Sequence, residues 1–63
     1  MKQITHYRDI KNGDIILYGN YGEPLISGVA EFVTWDSDQN AVAVNGIYRA
    51  ILDMDYDIVL KVE

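Results

Sequence analysis

The chain contains no cysteine, so disulfides, zinc knuckles and thiol chemistry are all excluded. That absence fits a reducing cytoplasm. Domains as small as 63 residues usually add a disulfide, a metal or a second subunit, because a chain of this length buries only about 60% of its unfolded surface. Positive charge is scarce as well. Lys2, Arg8, Lys11, Arg49 and Lys61 face ten acids, giving a net charge of -5 and a pI near 4.5. Such a chain is repelled by nucleic acid and by anionic membranes. His6 is the one histidine, and Ser27 and Ser37 are the only serines. No stretch approaches the roughly 18 apolar residues of a membrane span. Met1 to Arg8 lacks the apolar core of a signal peptide. The expectation is a soluble, cytoplasmic protein forming a single domain over residues 1–63.

What the chain does have is 49% apolar residues and a regular punctuation of turns. Asn12-Gly13 and Asn45-Gly46 are two-residue turn signals, because both residue types tolerate positive φ. Asn45-Gly46 lies between two β-prone runs and predicts a hairpin. Residues 19–24 and 36–40 read as further turns. Between the turns lie five strand-like runs: 14–18, about 26–35, 41–44, 47–52 and 58–62. Asp14-Ile15-Ile16-Leu17 echoes Asp57-Ile58-Val59-Leu60, which predicts similar, heavily buried settings for the first and last strands. His6 falls in a terminus expected to fray.

The segment 24–33 carries two patterns. Leu25, Val29, Phe32 and Val33 match a helical stripe behind Pro24, which gives an α+β alternative with one short helix. Gly28 and the run Val33-Thr34-Trp35 favour a strand instead, with Gly28 at a bulge or sharp bend. The expected fold is all-β: a five-stranded barrel or a strongly bent antiparallel sheet. The order of "IKNGDIILYG", "GVAEFVTWDSDQNAVAV" and "NGIYRAIL" resembles an SH3-like barrel, in which a loop delivers Gly-Asp into a strand and a long bent strand leads into a hairpin. The resemblance implies the fold and carries no site residues.

Candidate chemistry is sparse. Asp36-x-Asp38-x-Asn40 opens like a calcium loop, but Ala41 and Ile47 stand where that loop needs Gly and a bidentate Glu. A polar turn is the better reading, and no metal or cofactor is expected. Ser27 has neither a base nor an elbow around it, and His6 has no partner in sequence, so no catalytic residue is assigned and an enzyme is not expected. Aromatic residues suited to base stacking lack a basic groove beside them, which argues against direct nucleic-acid binding.

Two features remain. Asp53, Asp55 and Asp57 alternate in "DMDYD", as a solvated turn or as an acidic strip for a partner. Ile15 to Tyr18, Ala41 to Val44 and Ile58 to Leu60 are apolar at every position, whereas a sheet with one wet face should alternate. Some of Ile16, Tyr18, Val42, Val44, Val59 and Tyr48 are therefore expected to point outward and support a homodimer. Partner binding is assigned to Asp53, Asp55, Asp57, Asp36 and Asp38 as charge, with Tyr56, Tyr48 and Trp35 as anchors. The expected function is a non-catalytic interaction module that blocks the basic surface of a nucleic-acid-acting host protein. In size, charge and lack of catalytic equipment the chain resembles small acidic phage-encoded inhibitors of bacterial defence or host enzymes. A self-assembling structural barrel and a nucleic-acid-binding barrel are the alternatives.

Overall fold

A computed structural model describes residues 1–35 and 40–63. The fold is all-β, a bent antiparallel sheet of six strands in the order β1-β6-β2-β3-β4-β5. Its strands are β1 (Lys2–Gln3), β2 (Ile15–Gly19), β3 (Ile26–Trp35), β4 (Asn40–Val44), β5 (Ile47–Arg49) and β6 (Ile58–Val62). A single 3₁₀ turn, Tyr7–Asp9, separates β1 from β2. The sheet does not close. β1 and β5 are its two edges, so of the two expected forms, barrel or strongly bent antiparallel sheet, the structure is the bent sheet.

The hairpin at Asn45-Gly46 forms as its sequence dictates. Both residues hold positive φ, 54° and 82°, and Val44 pairs with Ile47 across the turn. Residues 24–33 build a strand rather than a helix, with the break located four residues beyond Gly28. The β3–β4 register shifts between Glu31 and Thr34, where Phe32 takes φ 51°. Asn12 steadies that bulge by accepting the Val33 N–H at 3.4 Å. The echo between β2 and β6 also has a structural counterpart. The two strands pair with each other, Leu17 facing Leu60, and Ile16 and Val59 are both buried.

The core lies on one face of the sheet. Ile16, Tyr18, Ala30, Val42, Val44 and Val59 supply the sheet side, and Ile4, Tyr7, Ile10 and Ile51 cover them. Val33, Leu52 and Tyr56 pack around the rim, Tyr56 edge-on to Tyr18 at 5.0 Å between ring centroids. The N-terminal segment therefore does not fray. Ile4 donates its N–H to Val59 at 2.9 Å, and the Tyr7 hydroxyl accepts the Leu52 N–H at 2.9 Å. Lys61 extends from β6 to the end of the 3₁₀ turn, donating to the Asp9 carbonyl at 2.8 Å with Asp14 at 3.8 Å. These contacts commit about a sixth of a small chain to closing one side of the sheet, where each fully buried large side chain contributes about 1.5–3 kcal/mol.

This arrangement corrects the expected facing of the strands. Ile16, Tyr18, Val42, Val44 and Val59, expected at a self-association surface, are all buried in the core. On the opposite parity of β6, β2 and β3, Val62, Ile15 and Val29 are exposed. In a run that is apolar at every position, one step of register exchanges the two faces without altering the pattern. Only the structure's pairing, with Ile16 opposite Gly28 and Lys61, decides between them.

Candidate partner-binding surface

Two loops meet at the end of the sheet where β2 leaves and β6 begins. One is the turn at 20–23, closed by a Glu23 N–H to Asn20 carbonyl bond of 3.2 Å, with Gly22 at φ 83°. The other runs from 50 to 57, with Asp55 at φ 57°. Reciprocal bonds lock them together. The Asp57 N–H donates to Asn20 Oδ1 at 3.1 Å, and Asp57 Oδ2 accepts the Tyr21 N–H at 3.1 Å. The joined loops carry Glu23, Asp53, Asp55 and Asp57, all exposed, and neither loop contains a lysine or arginine. Tyr21 and Met54 stand out among them, 76% and 53% exposed.

Asp53, Asp55 and Asp57, expected as a solvated turn or an acidic strip, lie on a turn rather than along an extended strand, and with Glu23 they make an acidic pole at this end of the sheet. Asp57 is part of its scaffold, since its carboxylate is engaged with the neighbouring turn. Among the described residues, no group of three or more histidine, aspartate or glutamate side chains converges as an ion would require. Asp36 and Asp38 lie outside the described residues. Of the expected aromatic anchors, Tyr48 and Trp35 are exposed, whereas Tyr56 is half-buried against the core, which removes it as an outward anchor.

Tyr48 stands at one side of a shallow hollow of about 390 Å³ whose lining also includes Thr34, Asn40 and Ala41. The pairing explains it. Ala41 and Ala43 take the parity of β4 away from the core, opposite Thr34 and Glu31 on one side, and Ala43, itself buried, also lies opposite Tyr48 on the other. Two alanines between larger neighbours leave a groove. Trp35 is turned to the opposite face, where its ring meets His6 at 5.6 Å. His6 Nδ1 accepts the Arg8 N–H at 3.0 Å, so the ring serves as a cap for the 3₁₀ turn. Trp35, Tyr48 and the acidic pole do not form one continuous site.

Among the described residues two ionisable groups are shifted, and both belong to the fold. Burial raises the Tyr7 phenol above 10.0, a rise the Leu52 N–H bond opposes. Burial likewise raises the Tyr18 phenol, against the lowering effect of the Arg49 guanidinium. Sequence reasoning missed Tyr21, Glu23 and Met54 at the pole. Tyr21 did carry a signal, an aromatic ring within a glycine-rich turn that cannot bury it.

Comparison with protein families, curated proteins and solved structures found no match to this chain. No described helix is long and apolar enough to cross a membrane.

Proposed function

We propose that this chain is a non-catalytic binding module whose acidic pole docks on the basic surface of a nucleic-acid-acting protein and blocks that surface. The observation that carries the reading is the loop lock. Asn20 and Asp57 fasten two cation-free loops to each other, so four carboxylates are presented on a fixed frame. A preorganised cluster loses less entropy on docking than a mobile one. Its charge would steer encounter with a positive partner and keep nucleic acid away. Large basic surfaces are most often those that hold phosphate backbones, which gives the partner class. Tyr21 and Met54 would supply apolar contact beside the charge.

The test is capture from nuclease-treated lysate with the tagged protein and, in parallel, a Glu23→Lys, Asp53→Asn, Asp55→Asn variant. Asn is used at 55 because it tolerates the left-handed backbone there, and Asp57 is kept because it holds the lock. The expected result is a basic protein retained by the first and lost by the second, with retention weakening as salt rises. Its binding to DNA or RNA should fall when the module is added. Equal retention by the variant, or capture indifferent to salt, would end the proposal.

A further inference from the structure

Asn-Gly is a turn signal, and it is also a reactive pair. Asparagine is among the thermally labile residues. When glycine follows it, no Cβ shields the next amide nitrogen from the asparagine carboxamide. The chain carries the pair twice, at Asn12-Gly13 and at Asn45-Gly46, and all four residues are exposed. Their hydrogen bonds set the two pairs apart. The Gly13 N–H is committed to the Ala30 carbonyl at 2.7 Å, and Asn12 Oδ1 accepts the Val33 N–H at 3.4 Å. Both the nitrogen that would attack and the carboxamide it would attack are therefore fastened to β3. In the hairpin, pairing resumes at Val44 and Ile47, and the Gly46 N–H has no backbone partner among the described residues. The Asn45 carboxamide is held by one bond, from Nδ2 to the Ser27 carbonyl at 3.1 Å.

We propose that Asn45 is a site of spontaneous deamidation, and that the fold shields Asn12 from the same reaction. Hydroxide removes the Gly46 amide proton, and the nitrogen bonds to Asn45 Cγ. The Cγ–Nδ2 bond breaks, and Nδ2 leaves as ammonia with a proton from water, which regenerates hydroxide. Water then opens the succinimide ring at either carbonyl carbon, leaving aspartate or isoaspartate at position 45. Water is the co-reactant, and nothing is oxidised or reduced. At Gly13 the same first step must give up the bond to Ala30. The product changes the hairpin. Aspartate sets a carboxylate where Nδ2 had donated to the Ser27 carbonyl, so one bond is lost and two acceptors oppose each other. It also adds negative charge to a chain already at -5. Isoaspartate routes the main chain through Cβ and lengthens a turn whose length fixes the β4–β5 register. β5 is an edge strand paired with β4 alone, so the modified turn loosens it.

The test follows the intact protein in mildly alkaline buffer, with a parallel sample unfolded in guanidinium. Peptides containing Asn12 and Asn45 are resolved by mass spectrometry over time. In the folded protein the product should form at Asn45 well before any forms at Asn12, and faster as pH rises. In guanidinium the two sites should react at similar rates, because only the fold separates them. Asn45→Asp, made directly, should show faster amide exchange at Ile47 than the parent. Product at Asn12 as early as at Asn45 would overturn the proposal. So would an Asn45 preference that persists in guanidinium, or no product at Asn45 over a period in which the unfolded chain reacts. Unchanged exchange at Ile47 in Asn45→Asp would overturn the effect on the hairpin.

Discussion

Gly28 on β3 lies beneath Val44 on β4 so closely that a Cβ at position 28 would come within 2.5 Å of Val44 Cγ1. The same Cβ would meet the Asn45 side-chain amide at 2.6 Å, and that amide is itself bonded to the Ser27 carbonyl at 3.1 Å. Val44 is a core residue at the mouth of the hairpin and has little room to retreat. Gly28→Ala should therefore destabilise the protein by about 1–3 kcal/mol, the usual cost of overpacking. Urea unfolding reads this as a lower midpoint at unchanged slope. An unchanged midpoint would mean that β3 and β4 can separate without loss.

The same glycine shows how far the sequence could be read. A glycine inside a β-prone run marks either a bulge or a close approach, and the two are indistinguishable without the partner strand. Here the close approach is at Gly28 and the bulge is at Phe32, a residue type that gives no hint of positive φ. Elements with local causes were legible: the Asn45-Gly46 hairpin, the turn at 19–24, and the strands at 58–62 and 41–44. What depends on long-range pairing was not. The facing of β2, β4 and β6 could not be read because both parities are apolar. The ordered N-terminus could not be read because Ile4, Tyr7 and Ile10 recur every three residues, which matches neither the period of two of a strand nor the 3.6 of an α-helix. At the candidate site the acidic residues were legible by composition alone. The role of Asp57 as a lock needed Asn20 beside it, 37 residues away in the chain.

Tyr7 should give the fold an alkaline limit. Its hydroxyl is the acceptor for the Leu52 N–H, and burial raises its pKa. Tyr18 is raised in the same way. In the unfolded chain both phenols release their protons near 10.0, before the folded state does. The stability tied to these shifts is thus fully present below pH 10 and drains away as pH rises through the folded pKa values. Urea titrations at about pH 8 and about pH 11 should show the loss. Tyr7→Phe should cost about 1 kcal/mol at neutral pH, through the lost acceptor, and should flatten part of the alkaline decline. A decline of the same steepness in the variant would assign the effect to other groups.

Phe32 combines two costs. It holds φ 51°, and its side chain is 64% exposed. The left-handed backbone costs a non-glycine residue about 1–2 kcal/mol, while glycine adds back about 0.5–1 kcal/mol of unfolded-state entropy. Phe32→Gly should therefore leave stability unchanged or raise it by up to about 1.5 kcal/mol. Phe32→Val, which keeps the strain and adds a β-branch, should lower it. Thermal melts of the pair decide the matter: if the glycine variant melts well below the parent, the ring is supporting the bulge through contacts that outweigh the strain.

Asp57 should behave unlike the other acids of the pole. Its carboxylate accepts the Tyr21 N–H, so Asp57→Ala leaves that amide without its partner and should cost about 0.5–1.5 kcal/mol. Asp57→Asn keeps an acceptor oxygen and should cost less, although it removes the same charge. Asp53 is exposed but lies beside the Tyr7 phenol, outside the loop lock, so Asp53→Asn should cost no more than about 1 kcal/mol. Amide hydrogen exchange at Tyr21 isolates the mechanism. It should quicken in Asp57→Ala, stay slow in Asp57→Asn and not respond to Asp53→Asn. If exchange quickens equally in both Asp57 variants, charge rather than the hydrogen bond closes the two loops, and the pole is held by electrostatics instead of by a specific contact.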